Sequence, residues 1–444
     1  MTDVLNATEV HDAAVLQWAS DVLDRAGDPA AMQREVVAAV QRNARWRGDE
    51  CLNLLAPEAP MSPVVRELLA AEVGQRAAEG HIGPANRWFA GTKYIDEIEA
   101  LCVELLKRVF HARYADHRLV ASMIGNMTVY AALTEPGDVI MSVTQPFGGH
   151  SSNRQDGPAG VRGLQIQDIP MDPVELTVDL DAFATTARAL RPKLVSLGAS
   201  MTLFPFPVHE MQAIVGEWGG RVFFDGAHQL GLIGGGQFQD PLAEGAAVLT
   251  GSAGKTFSGP QSGVIVWNDP ELTVPITDAI FPTLAATHQV NRVAALAAAA
   301  AEMLAFGAEY MAQIVANARA LARAMEDQGV PMLAAHKGYT RTHQVIADAR
   351  AFGGGEAAGF RLADANIIVN KNLIPADRPQ DWDRPSGLRI GTTEVTRWGM
   401  KEPEMVFVAG LIADLLLGRR GAEQVREDVT ALRHSFPTLQ YCFA

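Results

Sequence analysis

Seven short apolar runs recur between residues 118 and 268, at 118–123, 138–143, 164–169, 193–198, 221–225, 246–251 and 263–268. Each has the length of a strand. Most are followed by Gly, Pro, Ser or Asn and then by helix-compatible sequence. A strand that is apolar on both faces has to be covered on both faces, which is the condition of a mostly parallel sheet between layers of helix. The pattern therefore predicts an α/β fold with a seven-stranded, mostly parallel sheet. Ligands on such sheets collect at the carboxyl ends of the strands.

The rest of the chain frames that sheet. Residues 1–50 carry Leu16, Leu23, Met32, Val36, Val37 and Val40 at helical spacing among Asp, Arg and Gln. They predict one or two amphipathic helices, an arm packed on the body or on a partner subunit. Helical runs follow at 64–79 and 94–110. The Ala-rich stretch 287–328 predicts two helices meeting near Gly307. Beyond Gly329, strands are expected at 344–349, 367–370 and 388–391, under a covering helix at 402–417. The expected division is an N-terminal helical arm over 1–60, a large α/β domain over 61–286, connecting helices over 287–328 and a small α+β domain over 329–444.

Composition narrows the class. With 48% apolar and 20% charged residues, the 444-residue chain reads as a globular enzyme. A net charge of −14 argues against nucleic acid and anionic membrane as partners. No run of about 20 uncharged apolar residues suggests a membrane span. The first residues lack the basic stretch and apolar core of a secretory signal. Cys51, Cys102 and Cys442 are odd in number and far apart, which excludes a disulfide framework and lacks zinc-site spacing. The expectation is a cytoplasmic protein without a metal.

Two segments carry chemistry. In RVFFDGAHQLG, 221–231, Asp225 ends an apolar run, and Gly226 and His228 follow. Pyridoxal phosphate (PLP) needs an anion at such a strand end, because its pyridinium nitrogen must stay protonated to act as an electron sink. A strand-end aspartate can equally cap a helix or bind a metal. In VLTGSAGKTFSGPQSGVIVW, 248–267, Lys255 lies thirty residues after Asp225, in a loop of small residues between two expected strands. A lysine so placed can condense with an aldehyde, and its small neighbours let the backbone approach a cofactor. A phosphate-binding GxxxxGK[ST] loop is the competing reading. It fails because Leu249 stands where the first Gly is needed.

The chain resembles the serine hydroxymethyltransferase family of fold-type-I PLP enzymes from about residue 52 to 440. The motifs, in order, are AEG (78–80), RWFAG (87–91), EPGD (135–138), FGGH (147–150), DGAH (225–228), GKTFSGPQSG (254–263), VNKN (369–372) and GLRIGT (387–392). The resemblance implies a PLP-dependent transferase acting on a small amino acid, as a homodimer with sites shared between subunits. By the same resemblance Lys255 carries the cofactor, Asp225 faces its ring nitrogen, His228 and Ser200 lie near its O3′, and His150 stacks on its ring. Ser122 and Ser252 touch its phosphate, and Ala286–Thr287 stand where the family has a glycine pair from the other chain. Arg389 clamps the substrate carboxylate, a task suited to a bidentate guanidinium. Glu79 is the proton-transfer group near the substrate hydroxyl and reaches over from the neighbouring subunit.

Some positions depart from the family pattern. The tyrosine two residues before the Glu is Ala77, the second tyrosine of RYYGG is Phe89, and the histidine before the lysine is Gly254. The phosphate loop reads Ala121-Ser122-Met123. Gln145 and Ser151 replace an apolar wall against tetrahydrofolate, although Asn372 matches a folate-contacting position. The folate side therefore departs from the family, while the PLP and carboxylate side is largely intact. The departures imply reversible Cα–Cβ cleavage of a β-hydroxy-α-amino acid, with folate-independent conversion of α-methylserine to alanine and formaldehyde as the favoured case. An orthodox folate-dependent serine hydroxymethyltransferase, a threonine aldolase or transaldolase, and a PLP-binding paralogue without catalysis are the alternatives.

Overall fold

The apolar runs meet in one sheet. The computed structural model describes residues 10–443. Its strands are β1 (Tyr114–Asp116), β2 (Val139–Ser142), β3 (Gln165–Asp168), β4 (Leu194–Gly198), β5 (Arg221–Asp225), β6 (Val248–Ser252) and β7 (Gly263–Trp267). Their order is β1-β7-β6-β5-β4-β2-β3. Pairing is parallel from β3 to β6, while β7 runs antiparallel to both β6 and β1. Successive side chains point to opposite faces. Val222 and Phe224 enter one apolar core with Val195, Leu197 and Leu249, whereas Phe223 enters another with Leu194 and Val248. The fold is the expected α/β fold with a seven-stranded, mostly parallel sheet.

A smaller antiparallel sheet follows, of β8 (Gln344–Asp348), β9 (Asn370–Asn372) and β10 (Gly387–Gly391), in the order β8-β10-β9. Its register sets Arg389 between Ile346 and Asn370. The helix Glu402–Leu416 buries Met405, Val408, Leu411 and Ile412 in the core that also takes Val345, Leu388 and Ile390.

Four expectations need correction. The run 118–123 is not a strand. The strand lies upstream at Tyr114–Asp116, because Arg118 folds back to pair with Asp116 at 2.6 Å and Ser122 opens the helix Ser122–Leu133. The run 64–79 is α-helical only over Pro63–Leu69, with a short 3₁₀ turn at Glu72–Gln75. Asn291 Nδ2 donates to the Leu69 carbonyl at 2.5 Å, satisfying a helix-end acceptor, and a Cβ at Gly74 would lie 2.4 Å from Asn291 Cγ. Glu79 is thus left on a loop. The stretch 287–328 is one helix, Val290–Asp327, rather than two. Gly307 does not break it. A Cβ on Gly235 would come within 2.5 Å of the Gly307 carbonyl oxygen, so the glycines permit a close approach. The run 367–370 splits: Ile367–Ile368 pairs with Leu52–Asn53, and a new strand begins at Asn370.

The 38-residue helix is long and apolar enough to cross a bilayer, but half of its most apolar window is buried inside the chain, as in a core helix. The helices Ala13–Ala26 and Pro29–Asn43 form as expected, capped by Asp12 and Asp28. Neither buries a residue on the body. Val15, Leu16, Trp18, Val36 and Val40 remain exposed.

Candidate active site

The carboxyl ends of β4, β5 and β6 open onto one cavity, whose lining includes Ser200, Asp225, His228, Ser252 and Lys255. Asp225 is 4% exposed. Its Oδ2 accepts from Asn126 Nδ2 (2.7 Å) and Asn153 Nδ2 (3.1 Å), and its Oδ1 accepts from the Ala227 amide (3.1 Å). The two amides are themselves oriented. Thr250 Oγ1 donates to Asn126 Oδ1 at 2.8 Å, and Tyr130 donates to Asn153 Oδ1 at 2.6 Å. All these donors are neutral, and among the described residues no cationic side chain forms an ion pair with Asp225. A buried carboxylate without a cation is costly. A protonated pyridinium would supply the missing charge, so the site fits PLP.

Lys255 sits in the turn between β6 and β7. The Ser258 amide donates to the Lys255 carbonyl at 2.9 Å, and the Gly259 amide to that of Ala253 at 2.8 Å. Ser258 takes a φ of 57°, a left-handed conformation uncommon outside glycine. Burial pushes the Lys255 amine down to about 8, with Asp225 opposing the shift and Arg389 adding to it. An amine that loses its proton near neutrality is a competent nucleophile toward an aldehyde. A Cβ at Gly254 would lie 2.7 Å from Gln261, so Gln261 fills the space a side chain at position 254 would need.

The helix Ser122–Leu133 begins at the cavity, where Ala121, Ser122 and Met123 line the wall with buried Ser252. Unpaired amides and the positive end of the helix dipole suit a phosphate there. His150 also lines the cavity, and its Nδ1 lies 2.7 Å from Ser152 Oγ. Burial lowers its pKa. His228 is held well below the ordinary histidine range, first by burial and then by the charges of Lys255 and Arg389. It is therefore a neutral ring at physiological pH, with Nδ1 3.1 Å from Gln344 Nε2.

Arg389 comes to the same place from the second sheet. Its Nε donates to Asn370 Oδ1 at 3.1 Å, and its Nη1 donates to the Ser200 carbonyl and lies 3.4 Å from His228 Nε2. Ser200 also accepts from Gln344 Nε2 at 3.0 Å through its carbonyl. Burial lowers the guanidinium to about 10, and among the described residues no carboxylate pairs with it. Among the described residues, then, neither Asp225 in the cavity nor Arg389 beside it has a salt-bridge partner. A ligand set of pyridinium and carboxylate complements both.

Arg389 stands beside this cavity rather than in its lining, and five other expected residues lie away from it. Ala77, Glu79, Phe89, Ala286 and Thr287 gather instead on a separate patch, where Thr287 Oγ1 donates to Glu79 Oε1 at 2.8 Å. Glu79 is half-buried and the other four are exposed. Sequence reasoning missed Asn126, Asn153, Gln344 and Asn370. Only Asn126 left a signal, as an amide inside an otherwise apolar helix.

The family profile described as serine hydroxymethyltransferase matches residues 30–412. The chain is 44% identical to a serine hydroxymethyltransferase from Methanopyrus kandleri over 408 residues, covering 92% of this chain and 94% of the relative. It is 42% identical to one from Korarchaeum cryptofilum over 428 residues, covering 94% and 98%. A solved structure of L-threonine transaldolase from Pseudomonas fluorescens, in its internal aldimine state, superposes with a TM-score of 0.84 at 26% identity, over 97% of this chain and 96% of that one. The Asp225, Lys255 and Arg389 geometry and the breadth of these matches agree: the chain belongs to the serine hydroxymethyltransferase family and is a PLP-dependent enzyme.

Proposed function

We propose that the chain catalyses reversible aldol cleavage of a β-hydroxy-α-amino acid, with α-methylserine to alanine plus formaldehyde, without folate, as the favoured substrate and products. Bound PLP supplies the electron sink for the carbanion left at Cα. The observation that carries the reading is the buried Arg389, which no carboxylate among the described residues pairs with and which lies within reach of the His228 wall. A carboxylate held there keeps its own bond to Cα out of the reactive orientation and presents the side chain instead. Glu79 takes the proton of the β-hydroxyl as general base. Because Glu79 and Thr287 stand together outside the chain's own cavity, each cavity is completed by the Glu79 patch of a second copy.

Ala77 supports the α-methyl substrate. It offers a methyl group where the family has a phenol, which leaves room beside the substrate Cα. The polar Gln145 and Ser151 support folate independence, since they give the pteridine no apolar wall. A second reading, folate-dependent conversion of serine to glycine, is favoured by the names of the relatives at 42–44% identity. Enzyme, PLP and α-methylserine are incubated without tetrahydrofolate, and formaldehyde is assayed. Release is expected. No release, together with strong tetrahydrofolate-dependent turnover of serine, would select the second reading.

A further inference from the structure

Behind the Glu79 patch lies a buried cluster that the chemistry above does not use. Glu99, on the helix Lys93–Val109, is 1% exposed. Arg87 Nη2 bonds to its Oε2, His117 Nε2 lies 3.3 Å from the same oxygen, and His288 Nε2 lies 2.5 Å from Oε1. Two histidines and a carboxylate are ligand types that suit zinc. The surrounding charges argue otherwise. The carboxylates of Asp96, Glu99 and Asp116 are matched by the guanidinium groups of Arg87, Arg118 and Arg292, so a divalent ion would add two uncompensated charges to a buried site. Burial raises the pKa of Glu99, but the neighbouring imidazoles of His117 and His288 outweigh it and keep the carboxylate ionised. The cluster is a hydrogen-bonded hub.

The hub holds the Glu79 segment by two routes. Along the first, Arg87 Nη1 donates to the Ala78 carbonyl at 2.7 Å, Gly80 and Arg87 form an antiparallel bridge, and the Trp88 amide donates to the Glu79 carbonyl at 3.1 Å. Along the second, His288 follows Thr287, whose hydroxyl donates to the Glu79 carboxylate itself. Both routes end on Glu99. Arg118 adds a weaker tie, with its Nη1 3.4 Å from the Gly80 carbonyl.

We propose that Glu99 is a positioning residue for Glu79, fixing the pose in which Glu79 enters the Lys255 cavity of a second copy. The inference rests on the shared-site reading above. Glu99→Gln keeps the shape and removes the charge. It is expected to lower kcat about 10- to 100-fold while KM and PLP content stay near wild type, because a misplaced base is lost mainly in the transition state. His288→Asn, which cuts only the second route, is expected to show the same split in weaker form, and it serves if Glu99→Gln does not fold.

Mixed chains separate this inference from the reading beneath it. An equal mixture of Glu99→Gln with Lys255→Ala places an intact Glu79 patch over an intact Lys255, and should recover up to about a quarter of wild-type activity per chain. A mixture of Glu99→Gln with Glu79→Gln should not recover. The control pair, Glu79→Gln with Lys255→Ala, should recover. Failure of that control overturns the shared site and this inference with it. Recovery of the control, with no recovery of Glu99→Gln by Lys255→Ala or with wild-type kcat in both Glu99→Gln and His288→Asn, overturns the role of Glu99 alone.

Discussion

Lys255→Met removes turnover, by at least about 10⁴-fold, while leaving a folded chain. The magnitude follows from losing the nucleophile on which the covalent chemistry depends, an effect that the remaining binding groups do not replace. Methionine keeps an unbranched apolar stem of similar length, with sulfur for one methylene, and drops the amine, so packing in the β6–β7 turn is preserved. Stability provides a separate check. In the apo chain the amine is depressed from its ordinary 10.5 to about 8 by burial. A depressed lysine contributes stability above its unfolded pKa and loses it as pH falls through the folded one. At pH 7 the apo wild type therefore carries a charged amine its surroundings disfavour, and the Lys255→Met chain does not. The Tm of the apo variant should exceed that of apo wild type at pH 7, and the two should converge as pH rises toward about 10.5. Substantial turnover by Lys255→Met, measured with PLP in excess, would remove Lys255 from the mechanism.

The sheet was legible because its signal is local. Phe223 and Phe224 need opposite covered faces, and the unbroken apolar run Val222–Phe224 states that need within one short strand. The first strand was misread because Leu119 and Val120 are as apolar as a strand, while the decision lay elsewhere. Arg118 pairs with Asp116, and the helix beginning at Ser122 brings its positive end to the cavity. Gly307 was misread as a break because a glycine in a helix has two meanings, and only the approach of Gly235 chooses between them. Asp225 and Lys255 were legible from their strand-end and small-loop settings. Asn153, Gln344 and Asn370 were not. Each acts through a partner 19 or more residues away, Asn153 on Asp225, Gln344 on His228 and Asn370 on Arg389, and an amide in a loop or on an edge strand carries no mark of that distance. The Glu99 hub was hidden for the same reason: its histidines lie in separate segments, at 117 and 288.

Arg389→Lys should lower kcat/KM for the amino-acid substrate about 100-fold, and Arg389→Ala about 1,000-fold. The guanidinium is committed through Nε to Asn370 Oδ1 and through Nη1 to the Ser200 carbonyl, a geometry that needs a rigid fork with several donors. Lysine can offer a charge but cannot hold both acceptors while binding a carboxylate bidentately. Truncation to alanine leaves an incoming carboxylate buried without a partner, which costs about 3–5 kcal/mol, or roughly two to four decades in rate at 1.36 kcal/mol per decade. The same variants separate recognition of charge from general damage. An amino-acid amide carries no carboxylate, so it should already be a poor substrate for wild type and should lose little more in either variant. Equal losses on acid and amide would mean that Arg389 supports the wall formed with Ser200 and His228 rather than the substrate. Unchanged kcat/KM on the acid in Arg389→Ala would mean that the carboxylate binds elsewhere, and the orientation argument for Cα–Cβ cleavage would fall with it.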